Sequence, residues 1–193
     1  MRPSGTPFRR TVRNRLTALL LAGCGTIAHA WELEGSKTIL LHPKDGDPIP
    51  VGSVTFTPEA GHVRFDIRFD YTRFDSYFLS MRDFKCVEGG GEATCHVPYP
   101  YDRPDRVSKT DLRWLEHALL FMWNQPRDYG AKLDKGVYFR MDITPDGVVG
   151  TAQSIDLSHI GGPPARPEIP PYEASDRGEV SPGSHWIQKL TIR

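Results

Sequence analysis

The 193 residues carry 24 basic against 24 acidic side chains, a balance that excludes the basic surface a nucleic-acid partner demands. The length suits one domain with a real core. The one long apolar run, residues 16–27, is too short to cross a bilayer as a helix. In chain order, residues 1–30 read as a cleaved secretory signal. Arg9, Arg10, Arg13 and Arg15 form a basic front, the apolar run follows, and Ala28-His29-Ala30 supplies a small-x-small cleavage pattern before Trp31. Five basic residues (Arg2 and these four) lie in that leader, leaving 19 against 24 acidic ones and a net charge of −5 on the mature chain.

The same leader carries a competing pattern. Leu21-Ala22-Gly23-Cys24 resembles the lipobox of bacterial lipoproteins, with Cys24 lipidated as the new N-terminus. Either cleavage leaves Cys86 and Cys95 as the two thiols able to pair. In the oxidising periplasm an even count reads as a disulfide.

Residues 31–42 and 51–57 read as strands separated by a Lys44-Asp45-Gly46-Asp47 turn with Pro48 and Pro50. Val63, Phe65, Ile67, Phe69 and Tyr71 then alternate with Arg64, Asp66, Arg68 and Asp70. This period of two predicts a half-buried antiparallel strand with a solvated, ion-paired outer face.

A hairpin follows. Counting inward, Cys86 faces Cys95, Val87 faces Thr94, Glu88 faces Ala93 and Gly89 faces Glu92, so Gly90-Gly91 is a two-residue turn. Residues 76–85 form its incoming arm, and Pro98, Pro100 and Pro104 then lead the chain into an extended loop bearing Tyr99 and Tyr101.

Residues 108–124 read as one long amphipathic helix. Ser108 and Asp111 have capping-box spacing, and Leu112, Leu115, Leu119 and Met122 recur on one face. Residues 136–144 and 148–157 form a second hairpin about Pro145-Asp146-Gly147. Residues 161–183, rich in proline and glycine, form a surface strap, and 185–193 a last strand, with either Trp186 and Leu190 or Ile187 and Ile192 facing inward.

The sum is a single mainly β (β-rich α+β) domain over 31–193: about eight antiparallel strands in a curved sheet, small barrel or sandwich, with one long helix. In the barrel form the last strand pairs with the first.

The segments FLSMRDFKC, CHVPYPY and LEHALLFMW resemble an uncharacterised group of exported proteobacterial proteins. The resemblance implies export and a single domain, and it brings no activity, ligand or functional residue with it.

Chemistry-bearing residues are sparse. His42, His62, His96, His117, His159 and His185 show no metal-ligand spacing, so no metal or other cofactor is expected. There is no Gly-x-Ser-x-Gly or Ser-x-x-Lys pattern. The leading expectation is a non-catalytic periplasmic module binding a small ligand or an envelope protein. Its contact surface is the braced hairpin and its loop: Arg82, His96, Tyr99 and Tyr101, with Asp83 and Lys85 beside them. The alternative is a periplasmic hydrolase-like enzyme using Glu116, His117 and Asp83, with Glu88 near them, as acid and base. Membrane attachment is expected only through a lipidated Cys24.

Overall fold

A computed structural model describes residues 1, 31–78, 83–127 and 130–193. Residues 2–30, which include Cys24 and nearly all of the expected leader, and Arg82 therefore lie outside the described residues. The chain is mainly β, and its strands join in one antiparallel sheet. In chain order they are β1 (Gly35–Pro43), β2 (Ile49–Glu59), β3 (His62–Phe69), β4 (Asp75–Phe78), β5 (Asp83–Gly89), β6 (Glu92–His96) and β7 (Arg106–Val107). After a short helix α1 (Arg113–Ala118) come β8 (Phe121–Asn124), β9 (Gly136–Thr144), β10 (Gly147–Ile155), β11 (Gly178–Glu179) and β12 (Ile187–Ile192).

The sheet runs β4-β5-β6-β8-β9-β10-β12-β1-β2-β3-β7, with β11 added beside β10. The last strand thus pairs with the first, as the barrel form requires, but β4 and β7 end the sheet and it stays open. It curls strongly. Phe69 at the end of β3 reaches across to His96 of β6, with ring centroids 4.0 Å apart, and to Phe121 of β8.

Among the described residues twelve strands replace the expected eight or so, and residues 108–124 do not form the long helix. Three of the additional strands (β4, β7 and β11) are two to four residues long, too short to leave a clear period. The fourth, β8, was hidden inside the expected helix. It is paired on both sides, with β6 and β9, and every one of its residues is buried. Phe121 and Trp123 enter one hydrophobic cluster while Met122 enters another on the opposite face. A strand covered on both faces shows an unbroken apolar run, and periodicity alone does not separate that from a helix.

The helix that does form is six residues long, and its N-cap Leu112 makes no side-chain cap. Ser108 and Asp111 form an isolated bridge instead of a capping box. Asp111 still accepts the Arg113 N–H at 3.1 Å. Leu115 of α1 is fully buried in the first cluster, with Phe56, Phe65 and Phe139.

β6, β8 and β9 separate that cluster from the second, which holds Cys86, Cys95, Met122, Tyr138, Leu157, Ile160 and Tyr172. The strap closes this second face. It is mostly irregular, with a turn at 166–169 and a short 3-10 helix at Ala174–Asp176, yet Tyr172 is fully buried and Tyr172 Oη donates to the Asp156 carbonyl at 2.9 Å. Along β12, Ile187, Leu190 and Ile192 are all buried while Trp186 is partly so. A bulge where His42 faces Lys189 and Pro43 faces Ile187 shifts the alternation, so neither expected inward set holds alone.

The hairpin register is as counted: Cys86↔Cys95, Val87↔Thr94, Glu88↔Ala93 and Gly89↔Glu92. Gly90 and Gly91 take φ 59° and 78°, the pair of positive values a type I′ turn needs. Cys86 and Cys95 form a disulfide and are fully buried. The bridge closes a loop with a sequence separation of nine, so losing it in the Cys86→Ala/Cys95→Ala double variant costs about 2–4 kcal/mol. The readout is the urea midpoint. A midpoint equal to that of the oxidised protein contradicts it.

Candidate functional site

The loop after β6 carries both expected tyrosines. Val97, Pro98 and Pro100 face a cavity. Tyr99 turns the other way, edge-on to Trp114 and His117 with centroids 6.2 Å away in each case, and it packs against both hydrophobic clusters. Tyr101 is half-buried and edge-on to Tyr99 at 5.8 Å. Tyr99 thus fastens the loop to the body, and Pro98 and Pro100 on either side of it line the cavity.

The cavity holds about 680 Å³, within the usual range for small-molecule sites. Phe84, Val97, Pro98, Pro100, Leu157 and Ile160 make its walls apolar, and Asp83, Lys85 and His96 supply its ionisable side chains. Among the described residues of the folded body, the exposed large hydrophobics are Tyr71 and Leu133, at 45% and 51% exposure. Both line this cavity. Isolated exposed apolar side chains are ordinary; these two come from distant segments and meet at one concave surface.

His96 is buried, with 6% of its surface exposed. Its ring lies against Phe69 and Phe121, and the Tyr71 hydroxyl stands 3.5 Å from its Nδ1. Burial lowers its pKa to about 4, with the Ala118 carbonyl opposing part of that drop, so the ring is neutral at pH 7. Nε2 has no hydrogen-bond partner among the described residues. That nitrogen is itself buried, so the part of His96 that borders the cavity is the rest of its ring. At the same cavity Lys85 is already committed, with Nζ 3.0 Å from Asp83 and 2.6 Å from Ser76 Oγ.

Glu116 and His117 lie elsewhere. Glu116 borders a shallow depression of about 350 Å³ with Asp111, Arg113, Arg140 and Arg177. Asp83 borders the larger cavity instead, so the expected acid-base trio does not share one cavity. Glu116 accepts from the Tyr138 hydroxyl and from the Met141 N–H at 2.6 Å. Burial raises its pKa against the pull of those two donors. His117 Nδ1–H donates to the Arg113 carbonyl at 2.7 Å, and Nε2 accepts the Tyr172 N–H at 3.2 Å. Burial first, then the nearby Arg177, Arg113 and Arg103 charges, lower its pKa to about 4 despite the Arg113 carbonyl. With both ring nitrogens engaged, His117 ties α1 to the strap and holds no free lone pair for proton transfer. Glu88 on β5 accepts from the Tyr77 hydroxyl, and Asp111 pairs with Arg113 at 2.6 Å.

A further polar contact docks β12 on the hairpin. Glu92 accepts from His185 Nδ1 at 2.6 Å and from the Trp186 N–H at 2.9 Å, and the His185 ring stacks on Trp123 at 3.6 Å. This contact lines no cavity described here and serves the fold.

Sequence reasoning missed Tyr71, Leu133, Leu157 and Ile160. They come from the turn after β3, the approach to β9 and the short helical turn between β10 and the strap, and no local pattern singles them out. Among the described residues no group of three or more His, Cys, Asp or Glu is placed to hold a metal ion. No helix there is long and apolar enough to cross a membrane. No protein-family model, curated protein or solved structure matches the chain.

Proposed function

We propose that this chain is an exported, non-catalytic binding module that holds a small, largely apolar ligand in the cavity beside the braced hairpin. The observation that carries the reading is the meeting of Tyr71 and Leu133, both exposed, at one cavity whose walls are otherwise mostly apolar. The disulfide-stapled β6 supports His96 on a rigid element, as a preformed site requires. Glu116 and His117 are engaged in internal hydrogen bonds, which supports a scaffolding role for them.

The test uses N-phenyl-1-naphthylamine, an uncharged apolar fluorophore. Saturable 1:1 enhancement is expected, weakened at least tenfold by Leu133→Asp. Because Leu133 is exposed, that variant melts with the parent. A fluorescence rise that never saturates, or one indifferent to Leu133→Asp, refutes the reading.

Export rests on the N-terminal pattern, and a disulfide in the folded body is the kind of bond that persists in oxidising compartments. The mature protein recovered from cells is expected to begin at Trp31 and lie free in the periplasm. An acylated Cys24 at the N-terminus replaces this with a tethered module, and an unprocessed chain in the cytosol removes export altogether.

A further inference from the structure

The strap hangs on one residue. Among the described residues, the hydrogen bonds that leave the segment 162–177 both come from Tyr172. Its N–H donates to His117 Nε2 at 3.2 Å and its hydroxyl to the Asp156 carbonyl at 2.9 Å. The other hydrogen bonds of the segment stay within it, from Ile169 to Arg166, from Asp176 and Arg177 to Glu173, and from Glu173 to Asp176. Tyr172 also stacks on His117, with centroids 5.5 Å apart, and packs in one cluster with Leu157 and Ile160. Those two line the larger cavity, so the residue that latches the strap also backs the cavity wall.

The latch requires a neutral ring. His117 Nδ1–H donates to the Arg113 carbonyl at 2.7 Å, which leaves the Nε2 lone pair for the Tyr172 N–H. A second proton turns Nε2 into a donor facing a donor. Tyr99, Tyr138, Tyr172 and Trp114 surround the ring. Burial raises the pKa of all three tyrosines, so their hydroxyls stay neutral. The charges acting on the ring are Arg177, Arg113 and Arg103. Glu116, next in sequence, is held by the Tyr138 hydroxyl and the Met141 N–H, and His159 stacks on Tyr172. Burial first, then those cations, hold the His117 pKa at about 4 in the closed state. Once the strap lifts and water reaches the ring, the ordinary value of 6.5 returns.

We propose that protonation of His117 unlatches Tyr172 and lifts the strap from the cavity wall, so that acid speeds the escape of the bound ligand. For the ligand, this rests on the binding reading above. With 6.5 for the open ring and about 4 for the closed one, the open population rises about 20-fold from pH 7 to pH 5.

Amide hydrogen exchange of the full mature protein at pH 7 and pH 5 tests the latch. The protection factor of the Tyr172 amide is expected to fall about 20-fold and to lie below that of the slowest β10 and β12 amides at both pH values. His117→Gln keeps an acceptor and a donor but does not titrate, and its Tyr172 protection is expected to stay constant. By stopped-flow dilution, the off-rate of N-phenyl-1-naphthylamine is expected to rise by about the same factor in the wild type and to stay flat in His117→Gln.

Tyr172 protection equal to that of the β10 and β12 amides means that the strap has no opening of its own, which refutes the latch even where the variant fails to fold. Protection that is the same at both pH values refutes it as well. If the amide responds to acid but the off-rate does not, the strap does not gate the cavity, while the binding reading stands. If the fluorophore binds at neither pH, the binding reading falls and the exchange data alone decide the latch.

Discussion

Acidifying the protein from pH 7 to pH 4 will remove about 6 kcal/mol of stability, about 3 from each of His96 and His117. Both start from an ordinary value of 6.5, and burial lowers both to about 4 in the folded state. The unfolded chain therefore takes up protons first as pH falls through 6.5, and the folded chain resists until about 4. Stability from these two groups is complete above pH 6.5 and is lost progressively between 6.5 and 4. His42, lowered by burial and by Lys189 and Arg193, acts in the same sense. Glu116 acts oppositely: its pKa is raised, so it favours the folded state as pH falls back toward 4.5. For a domain whose whole stability is about 5–15 kcal/mol, the net loss brings the chain near its unfolding midpoint. Urea unfolding at pH 7, 6, 5 and 4 measures it. His117→Gln keeps a donor and an acceptor but does not titrate, and it is expected to flatten the slope by about half. An unfolding midpoint constant from pH 7 to pH 4.5 rules the account out.

Much of the β architecture was legible where side chains alternate about one buried face. β3 reads so because Phe65 is buried while Arg64 and Arg68 pair outside with Glu59 and Asp66. The braced hairpin reads from symmetry, since two glycines with positive φ fix where the cysteines meet. The α1–β8 region did not read correctly. Leu120, Phe121, Met122 and Trp123 are all buried, and a helix and a doubly covered strand write the same apolar run. The last strand resisted because a bulge opposite His42 and Pro43 resets its alternation.

The cavity was half legible. His96 and the loop carrying Pro98 and Pro100 were singled out from sequence, on residues next to the staple. The assignment of Tyr99 and Tyr101 as the contact surface followed from composition. Tyr99 instead packs toward Trp114 and His117, and Pro98 and Pro100 line the cavity. Tyr71, Leu133, Leu157 and Ile160 meet there because the sheet curls and the strap folds back over it. Those are contacts between segments far apart in sequence, which no local period encodes.

Replacing Glu116 separates architecture from chemistry. Glu116→Leu keeps the bulk but leaves the Tyr138 hydroxyl and the Met141 N–H buried without an acceptor. At about 1–3 kcal/mol for each unpaired group, the expected loss is about 3–4 kcal/mol. Glu116→Gln can accept the Met141 N–H through its oxygen and donate from its amide to the Tyr138 oxygen, so its expected loss is about 1 kcal/mol or less. Adding Tyr138→Phe to Glu116→Leu removes one orphaned group and is expected to recover about 1 kcal/mol, an interaction that a double-mutant cycle isolates. Urea midpoints with unchanged m-values carry the comparison. Equal losses for Gln and Leu would mean that the two hydrogen bonds do not hold α1 to β9. The contrast between them measures how firmly that short helix is anchored over the sheet.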